Sequence, residues 1–208
     1  MKKIATIAFL LAVCGAAGWA QESRQDISIS GTGLIEPFIA SSTNVYVHST
    51  TAYGALASYR FMLTPSSALE ANYGITYQNK INFSGGNLGV RGVTVLTRTQ
   101  EVSAAYVRSF NFKKFNPFLE GGPGALIFLP IRNSGTTTVD AKQQTGIGAL
   151  YGAGIAYEIS PSFDIRAEYR GFVTKVPNFG DTTAGTFNFT TNKWYNIYNP
   201  VVGVAYHF

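Results

Sequence analysis

Charged residues occupy every second position of one short segment, where Asp164, Arg166, Glu168 and Arg170 alternate with apolar or aromatic residues. Successive side chains of a β-strand point to opposite faces, so this spacing predicts a strand with one ionic face and one apolar face. Carboxylates and guanidinium groups on one face can form ion pairs, and buried charges need such pairs. Further charged residues take the corresponding face of other segments: Arg60, Glu70, Glu101, Glu120 and Glu158.

Residues that could support catalysis or bind a metal are few. The only histidines are His48 and His207, which the pattern assigns to a connecting segment and to the last strand. Covalent catalysis needs a nucleophile beside a base, and Ser41 and Ser42, a few residues before His48, are the candidate nucleophiles. The chain has one cysteine and none of the motifs HExxH, GxSxG or the Walker-type phosphate loop. We therefore predict that the protein is not an enzyme and that it has no cofactor and no metal site.

Apolar and polar residues alternate with period 2 along most of the chain, which predicts eight strands. The approximate bounds of these strands are 26–35, 51–62, 69–79, 99–110, 116–129, 146–159, 163–174 and 194–208. Short connections near 63–67, 111–115 and 160–162 alternate with long polar connections near 36–50, 81–96, 130–143 and 175–193. Pro117 and Pro123 weaken the prediction for the fifth segment, because proline cannot donate a hydrogen bond to a strand ladder.

An even number of strands with alternating short and long connections is typical of an outer-membrane β-barrel, whose short turns face the periplasm. We therefore predict an all-β protein, an eight-stranded antiparallel up-and-down transmembrane β-barrel. Closure would also remove the open sheet edges, which lipid cannot satisfy. Aromatic residues near both ends of the strands would then form two girdles at the boundaries between lipid and water. A soluble lipocalin-like barrel with its apolar face inside is the alternative that alternation alone leaves open.

The composition favours a membrane barrel over an ordinary cytosolic enzyme. Charged residues make up 13% of the 208 residues, against about 25% in typical soluble domains, and aromatic residues make up 14%. A hydrophobic content of 46% argues against disorder. Past residue 20 no apolar run approaches the ~18 residues of a transmembrane helix, whereas a membrane-spanning strand needs only about 9–11. The formal net charge of +5 is too small to indicate nucleic-acid binding.

The N-terminus has the composition of a secretory signal peptide. Lys2 and Lys3 precede a short apolar run, and the small residues Gly18 and Ala20 favour cleavage after Ala20. Lipid modification at Cys14 is the alternative, because the residues before this cysteine loosely resemble a lipobox. The run is too short to span the membrane as a helix.

The last predicted strand carries alternating apolar residues and ends on an aromatic one: Val202, Val204, Tyr206 and Phe208. With the sequences NPFLEGG at 116–122 and AEYR at 167–170, it resembles the OmpA-like outer membrane protein β-barrel domain family of Gram-negative bacteria. The resemblance covers about residues 24–208. It implies that the alternating residues Val202, Val204, Tyr206 and Phe208 form the assembly signal that the barrel-insertion machinery reads. Because nothing follows Phe208, we expect a stand-alone barrel without the peptidoglycan-binding domain of full-length OmpA proteins.

These observations give three segments and one location. We assign 1–20 to the signal peptide, 21–25 to a short periplasmic N-terminal segment and 26–208 to the barrel, and we expect the protein in the outer membrane.

The lumen of the predicted barrel admits two functions. An eight-stranded barrel is just wide enough for its own side chains, so the ionic face predicts a plug held together by ion pairs. We expect Glu120 and Glu168 to pair with Arg166 or Arg170. The resemblance to OmpA-like proteins suggests a narrow, gated, porin-like pore as the alternative. We therefore predict a structural or membrane-integrity protein, with a pore, surface adhesion through the four external loops, and lipid modification as alternatives.

The external connections are predicted to be basic. They carry Lys80, Arg91, Arg132, Lys142, Lys175 and Lys193 against Glu36, Asp140 and Asp181. Lipopolysaccharide is rich in phosphate, so these cations are candidate contacts for it, although ordinary solvated loop charges would look the same. The expected partners are outer-membrane lipid, lipopolysaccharide and, during insertion, the barrel-assembly machinery. We expect no nucleic-acid partner and a monomeric barrel.

Overall fold

The computed structural model describes residues 24–40, 45–85, 92–135, 141–179, 191 and 193–208, and for 132–135 it describes the backbone alone. The strands within these residues are β1 (Gln25–Leu34), β2 (Ile39–Ala40), β3 (Val45–Ser49), β4 (Ala52–Thr64), β5 (Ser67–Gly85), β6 (Val93–Ser109), β7 (Phe115–Gly135), β8 (Gln144–Ser160), β9 (Phe163–Lys175) and β10 (Trp194–His207). No helix in this part of the chain is long and apolar enough to cross a membrane.

Eight of these strands, β1 and β4–β10, form a closed antiparallel barrel. The ring closes where β1 pairs with β10, from Asp26 opposite His207 to Thr32 opposite Val201. The short strands β2 and β3 form a ribbon that pairs with the far end of β5. Closure pairs each long strand on both sides, which satisfies the backbone groups that lipid cannot. The predicted eight-stranded antiparallel barrel is confirmed.

Tight connections join the strands at one end of the barrel. β1 begins and β10 ends at this same end. They run from β4 to β5, from β6 to β7 and from β8 to β9. Lys113, in the second of these turns, has a φ of 55°, in the left-handed region that tight turns use. Short turns mark the periplasmic end of an outer-membrane barrel, and the opposite end is therefore external.

The outward face of the barrel is apolar. Ile147, Tyr53 and Ile29 expose 76%, 74% and 71% of their surface, whereas Arg60 and Arg170 on the inward face expose 3% and 2%. A soluble barrel would bury the first set and expose the second, so the lipocalin-like alternative is wrong. The predicted girdle residues are all exposed: Phe61, Phe110, Tyr157, Phe163 and Phe208 near the turns, and Tyr53, Tyr77, Tyr151, Tyr169 and Trp194 near the loops.

The strands continue further toward the outside than the sequence predicts. β5, β6 and β7 occupy much of the expected connections 81–96 and 130–143, and β2 and β3 lie within 36–50. A β-bulge explains why alternation missed the end of β5. The register with β6 shifts between Thr76 and Asn79, and Gln78 has a φ of 61°. The extra residue exchanges the two faces of β5. Before the bulge the even-numbered residues point inward, whereas after it Asn79, Ile81 and Phe83 do.

Candidate functional site

The inward side chains of the periplasmic half form a charged layer across the lumen. In this layer Arg60 on β4 lies directly opposite Glu70 on β5. The Arg60 Nε donates to Glu70 Oε2 at 2.8 Å, and the guanidinium lies 4.9 Å from the centre of the Phe118 ring. Both side chains are almost fully buried. Their charges are therefore matched within the wall between two neighbouring strands.

A second ion pair joins the first and last parts of the barrel. The Arg166 Nη1 and Nη2 atoms donate to Asp26 Oδ1 and Oδ2 at 3.0 and 2.7 Å, in the bidentate geometry that gives strong, directional pairs. The His207 Nε2 lies 2.8 Å from Asp164 Oδ2, and its Nδ1 lies 3.8 Å from Asp26 Oδ2. Asp26 is completely buried. Sequence reasoning omitted it from the charge network, although its place at the start of the first strand put it on the inward face.

Arg170 connects β9 to strands on the other side of the lumen. Its Nη2 donates to Glu101 Oε1 on β6 at 2.7 Å, and its Nε lies 3.2 Å from Glu120 Oε1 on β7. The Ser103 hydroxyl also donates to Glu101 Oε1, at 2.7 Å. The guanidinium thus lies between two carboxylates from separate strands and fills the middle of the lumen.

The expected pairing is confirmed for Glu120, which lies beside Arg170, and differs from this arrangement in two other respects. Arg166 pairs with Asp26 rather than with Glu120 or Glu168. Among the described residues, Glu168 lies within ion-pair distance of no arginine, and its side chain is partly exposed. Glu158, near the β8–β9 turn, is also partly exposed and forms no ion pair with a described residue. Glu158 lies close enough to water to be hydrated, whereas Glu168 is largely desolvated and is stabilised by the longer-range attraction of Arg170, Arg60 and Arg166.

The external half of the lumen is filled mainly by apolar side chains, which the sequence analysis did not anticipate. Buried side chains from nearly every strand pack together there: Leu34, Val47, Ile81, Phe83, Val95, Leu126, Phe128, Leu150, Phe172, Phe179 and Ile197. Phe179 follows β9 and lies over this cluster, with its ring edge-on to Phe83 at 5.9 Å between centres. The Gln144 Oε1 accepts hydrogen bonds from the Asn178 and Phe179 backbone N–H groups, at 2.6 and 2.9 Å, and so anchors this segment.

A very small space lies between the charged layer and the apolar side chains of the external half. Its volume is about 10 Å³, and its lining includes Thr32, Leu56, Thr76, Glu101 and Leu126. A cavity of roughly 10–15 Å³ holds about one water molecule. Side chains therefore fill this part of the lumen almost completely.

The basic residues predicted at the external rim have different environments. Lys80 and Lys142 are exposed, and the Lys175 ammonium lies 5.7 Å from the centre of the Trp194 ring. The Lys193 Nζ donates to the Ala40 carbonyl oxygen at 2.6 Å, so it stabilises the β2 segment. Arg91, Asp140 and Asp181 lie outside the described residues, as does the side chain of Arg132.

Two residues near this rim were misjudged from the sequence. Arg98, which sequence reasoning overlooked, points outward from β6 with its guanidinium 5.1 Å from the centre of the Tyr77 ring. Glu36 was expected to be a solvated loop charge, but it is only 9% exposed, and the Asn79 amide donates to its Oε1 at 2.9 Å. Burial raises the pKa of the Glu36 carboxyl, and the hydrogen bond from Asn79 acts in the opposite direction.

The family of the chain follows from comparison with known proteins. The outer membrane protein beta-barrel domain family matches residues 6–208. The chain belongs to this family. A search of curated proteins found no significant match. The family and the closed barrel with an apolar outer face assign the protein to the outer membrane, and the signal peptide remains a prediction.

Solved structures of small outer-membrane barrels are similar to this chain. Neisserial surface protein A is 14% identical with a TM-score of 0.57, and the match covers 89% of this chain and 98% of that one. OprG from Pseudomonas aeruginosa is 11% identical with a TM-score of 0.62, covering 90% and 97%. Ail, the attachment invasion locus protein of Yersinia pestis, is 16% identical with a TM-score of 0.51, covering 90% and 100%. These similarities support the barrel fold.

The histidines that were considered for catalysis lie at opposite ends of this outer-membrane barrel. His48 is exposed on β3 in the external ribbon, whereas His207 lies at the periplasmic end beside Asp164. The two histidines therefore cannot act on one substrate. Ser41 and Ser42, the serines proposed beside His48, lie outside the described residues. Within the described ranges, no group of three histidine, cysteine or acidic side chains is arranged to hold a metal ion.

Proposed function

We propose that this protein is a structural outer-membrane barrel whose lumen is closed to solutes. The observation that carries the proposal is the space of about 10 Å³ between the charged and apolar layers. A solute that crossed the lumen would have to separate Arg170 from Glu101 and Glu120 and also displace the Phe128 and Phe172 rings. Removing one partner from a buried ion pair costs about 3–5 kcal/mol, and emptying an aromatic site costs about as much. Two barriers in series support a sealed barrel over a permanently open pore.

Conductance of the refolded protein in a planar bilayer tests this proposal. We expect no steady current from the wild-type protein, because both layers must open together. The single variants Arg170→Ala and Phe172→Ala should each leave one layer intact and remain closed. The combined variant should pass ions, since a narrow water-filled path would then cross both layers. Val202→Ala, on the lipid-facing side of β10, is the matched control. A steady ohmic current from the wild-type barrel would favour the pore and refute the sealed lumen.

We further propose that basic residues on the external rim bind lipopolysaccharide phosphates. Two observations support this partner. Lys80 and Arg98 lie on neighbouring strands close to the Tyr77 girdle residue, and Lys175 lies against Trp194 of the same girdle. Cations beside interfacial aromatic residues lie at the depth of lipid headgroups. Lys193 is a weaker candidate, because its ammonium already binds the Ala40 carbonyl oxygen.

Binding of purified lipopolysaccharide by the refolded barrel, measured over a range of salt concentrations, tests this partner. Each of Lys80→Gln and Lys175→Gln should weaken binding about fivefold, the ratio expected from about 1 kcal/mol per basic residue near a charged surface. The same variants should reduce the dependence on salt. Arg24→Gln removes an exposed cation at the periplasmic end and is the control. Binding that ignores both salt and the rim variants would contradict the proposal.

A further inference from the structure

The lipid-facing wall has a groove in its periplasmic half, between β4 and β7. Its volume is about 470 Å³, within the range of about 300–1,000 Å³ that ligand pockets have. Small residues from three neighbouring strands form its floor: Ala71 on β5, Ala104 on β6 and Gly121 on β7. Larger apolar and aromatic side chains rise around this floor: Tyr59, Phe61, Leu69, Tyr106 and Pro123.

Two residue pairs are missing from the β6–β7 ladder beside this groove, although the register is the same on both sides. The β6–β7 pairing runs up to Ser103 opposite Gly124 and resumes at Tyr106 opposite Gly121. Pro123 lies in the interval and has no N–H to donate to the ladder. A Cβ added at Gly121 would meet only the Leu150 carbonyl oxygen, at 3.6 Å, so the wall outside Gly121 is open. The depression therefore arises from the backbone of β7, where Gly121 has no side chain, and does not depend on one side-chain rotamer.

A cation lies at the periplasmic end of the groove. The Tyr106 hydroxyl and the Arg108 Nη1 each lie 2.9 Å from Ser67 Oγ, so the guanidinium lies beside a residue that lines the groove. Arg108 is exposed on the lipid-facing side of β6. In the described part of the chain, no carboxylate lies within ion-pair distance of it. The turn of the same hairpin adds the exposed Lys113 and Lys114.

We propose that this groove and Arg108 together bind one anionic phospholipid of the periplasmic leaflet. An acyl chain would lie on Ala71, Ala104 and Gly121, and the phosphate would accept hydrogen bonds from the Arg108 guanidinium. Charge complementarity selects the occupant. A second copy of the barrel would fill the groove with apolar side chains but would leave Arg108 without an anion. The site is separate from the lumen and from the external rim, so it goes beyond the proposed function.

Native mass spectrometry of the full-length mature protein tests the proposal. The barrel is reconstituted in vesicles of equal parts phosphatidylglycerol and phosphatidylethanolamine, extracted, and analysed for retained lipid. We expect the wild-type protein to retain one phosphatidylglycerol. Gly121→Leu adds bulk in the groove at a position where a Cβ atom meets only the Leu150 carbonyl oxygen, at 3.6 Å, and Arg108→Gln removes the charge. Each variant should lower the fraction of protein that retains the lipid about tenfold. This is the ratio expected when Arg108→Gln removes one charge-assisted hydrogen bond, or when Gly121→Leu removes an equivalent contact with the acyl chain.

Matched variants separate a specific site from general effects. Ala167→Leu adds three carbon atoms, against four for Gly121→Leu, on the lipid-facing side of β9, away from the groove, and should retain lipid like the wild type. Arg108→Lys keeps the charge and should retain most of the lipid. Ala104→Leu is a second groove-filling variant in case Gly121→Leu fails to fold. Equal retention by all variants, no preference for the anionic lipid, or a dimer whose formation Gly121→Leu abolishes would each overturn the proposal.

Discussion

The arginine side chains inside the barrel show how single residues stabilise a narrow lumen. Arg60, Arg166 and Arg170 are buried, and each lies against at least one carboxylate. An arginine buried in this way is stable because its charge and its donors are both matched. The contribution of each pair is therefore best seen when one partner is removed and the other remains.

Arg166→Ala should destabilise the barrel by about 3–5 kcal/mol, because it leaves the fully buried Asp26 carboxylate without its bidentate partner. The measurement is the temperature at which the folded band converts to the unfolded band on a gel. Asp26→Asn in the Arg166→Ala background removes the unpaired charge and should restore part of the loss. A melting temperature equal to that of the wild type would show that this pair does not stabilise the lumen.

Glu36 predicts a pH dependence in the external region. Its raised pKa means that the folded protein keeps the proton at pH values where the unfolded chain, near 4.5, has lost it. The folded state therefore binds more protons, so stability is highest at low pH and falls as pH rises through the raised pKa. Glu36→Gln should stabilise the protein at pH 7 and flatten this part of the profile. Thermal melts of both proteins between pH 4 and 8 measure the effect, and parallel profiles would contradict it.

At the scale of elements, the adjacent glycines Gly121 and Gly122 of β7 have different structural roles. A Cβ on the inward-facing Gly122 would lie 2.0 Å from the Ala104 carbonyl oxygen and 2.9 Å from the Ala105 Cα, so the two strands can approach only if this residue is glycine. Gly121, facing outward, has open space in the same test. Gly122 thus allows β6 and β7 to approach closely, and its neighbour Gly121 contributes to the depression on the lipid-facing side.

The two glycines make a matched pair of variants. Gly122→Ala should force β6 and β7 apart and destabilise the barrel by about 1–3 kcal/mol, the usual cost of overpacking. Gly121→Ala should leave stability within about 0.5 kcal/mol of the wild type, as surface substitutions generally do. The fraction that refolds into lipid vesicles, followed by β-sheet circular dichroism and the gel assay, measures both. Equal effects of the two variants would show that the inward contact does not limit the strand spacing.

At the scale of the whole molecule, closure joins the first and last strands of the barrel. β1 pairs with β10 along the wall, and Asp26 binds Arg166, 140 residues away. Long-range contacts of this kind make folding slow but leave no free edge at which unfolding in lipid can begin.

A closed barrel should therefore resist detergent until it is heated. We expect unboiled outer-membrane samples to migrate differently from boiled ones, with one cooperative transition between the two bands. Deletion of residues 25–34 opens the wall at β1 and should abolish the shifted band, while Arg24→Gln should leave it unchanged. If the protein migrated identically before and after heating, the closed barrel would not be the form present in the membrane.

The sequence by itself determined the barrel, its strand number and which residues of each strand share a face. Alternation is a local property of each strand and left open which face points outward, which the exposure of Ile29, Tyr53 and Ile147 in the closed barrel decided. It could not determine which charges meet, because Asp26, Arg166, Glu101, Glu120 and Arg170 come together only when the ring closes. Alternation also did not predict the apolar external layer. The bulge at Gln78 exchanges the inward and outward faces of β5, so alternation before the bulge gives the wrong faces after it. Phe83, Phe128 and Phe172 come together by packing across the lumen, and such contacts have no fixed separation along the sequence.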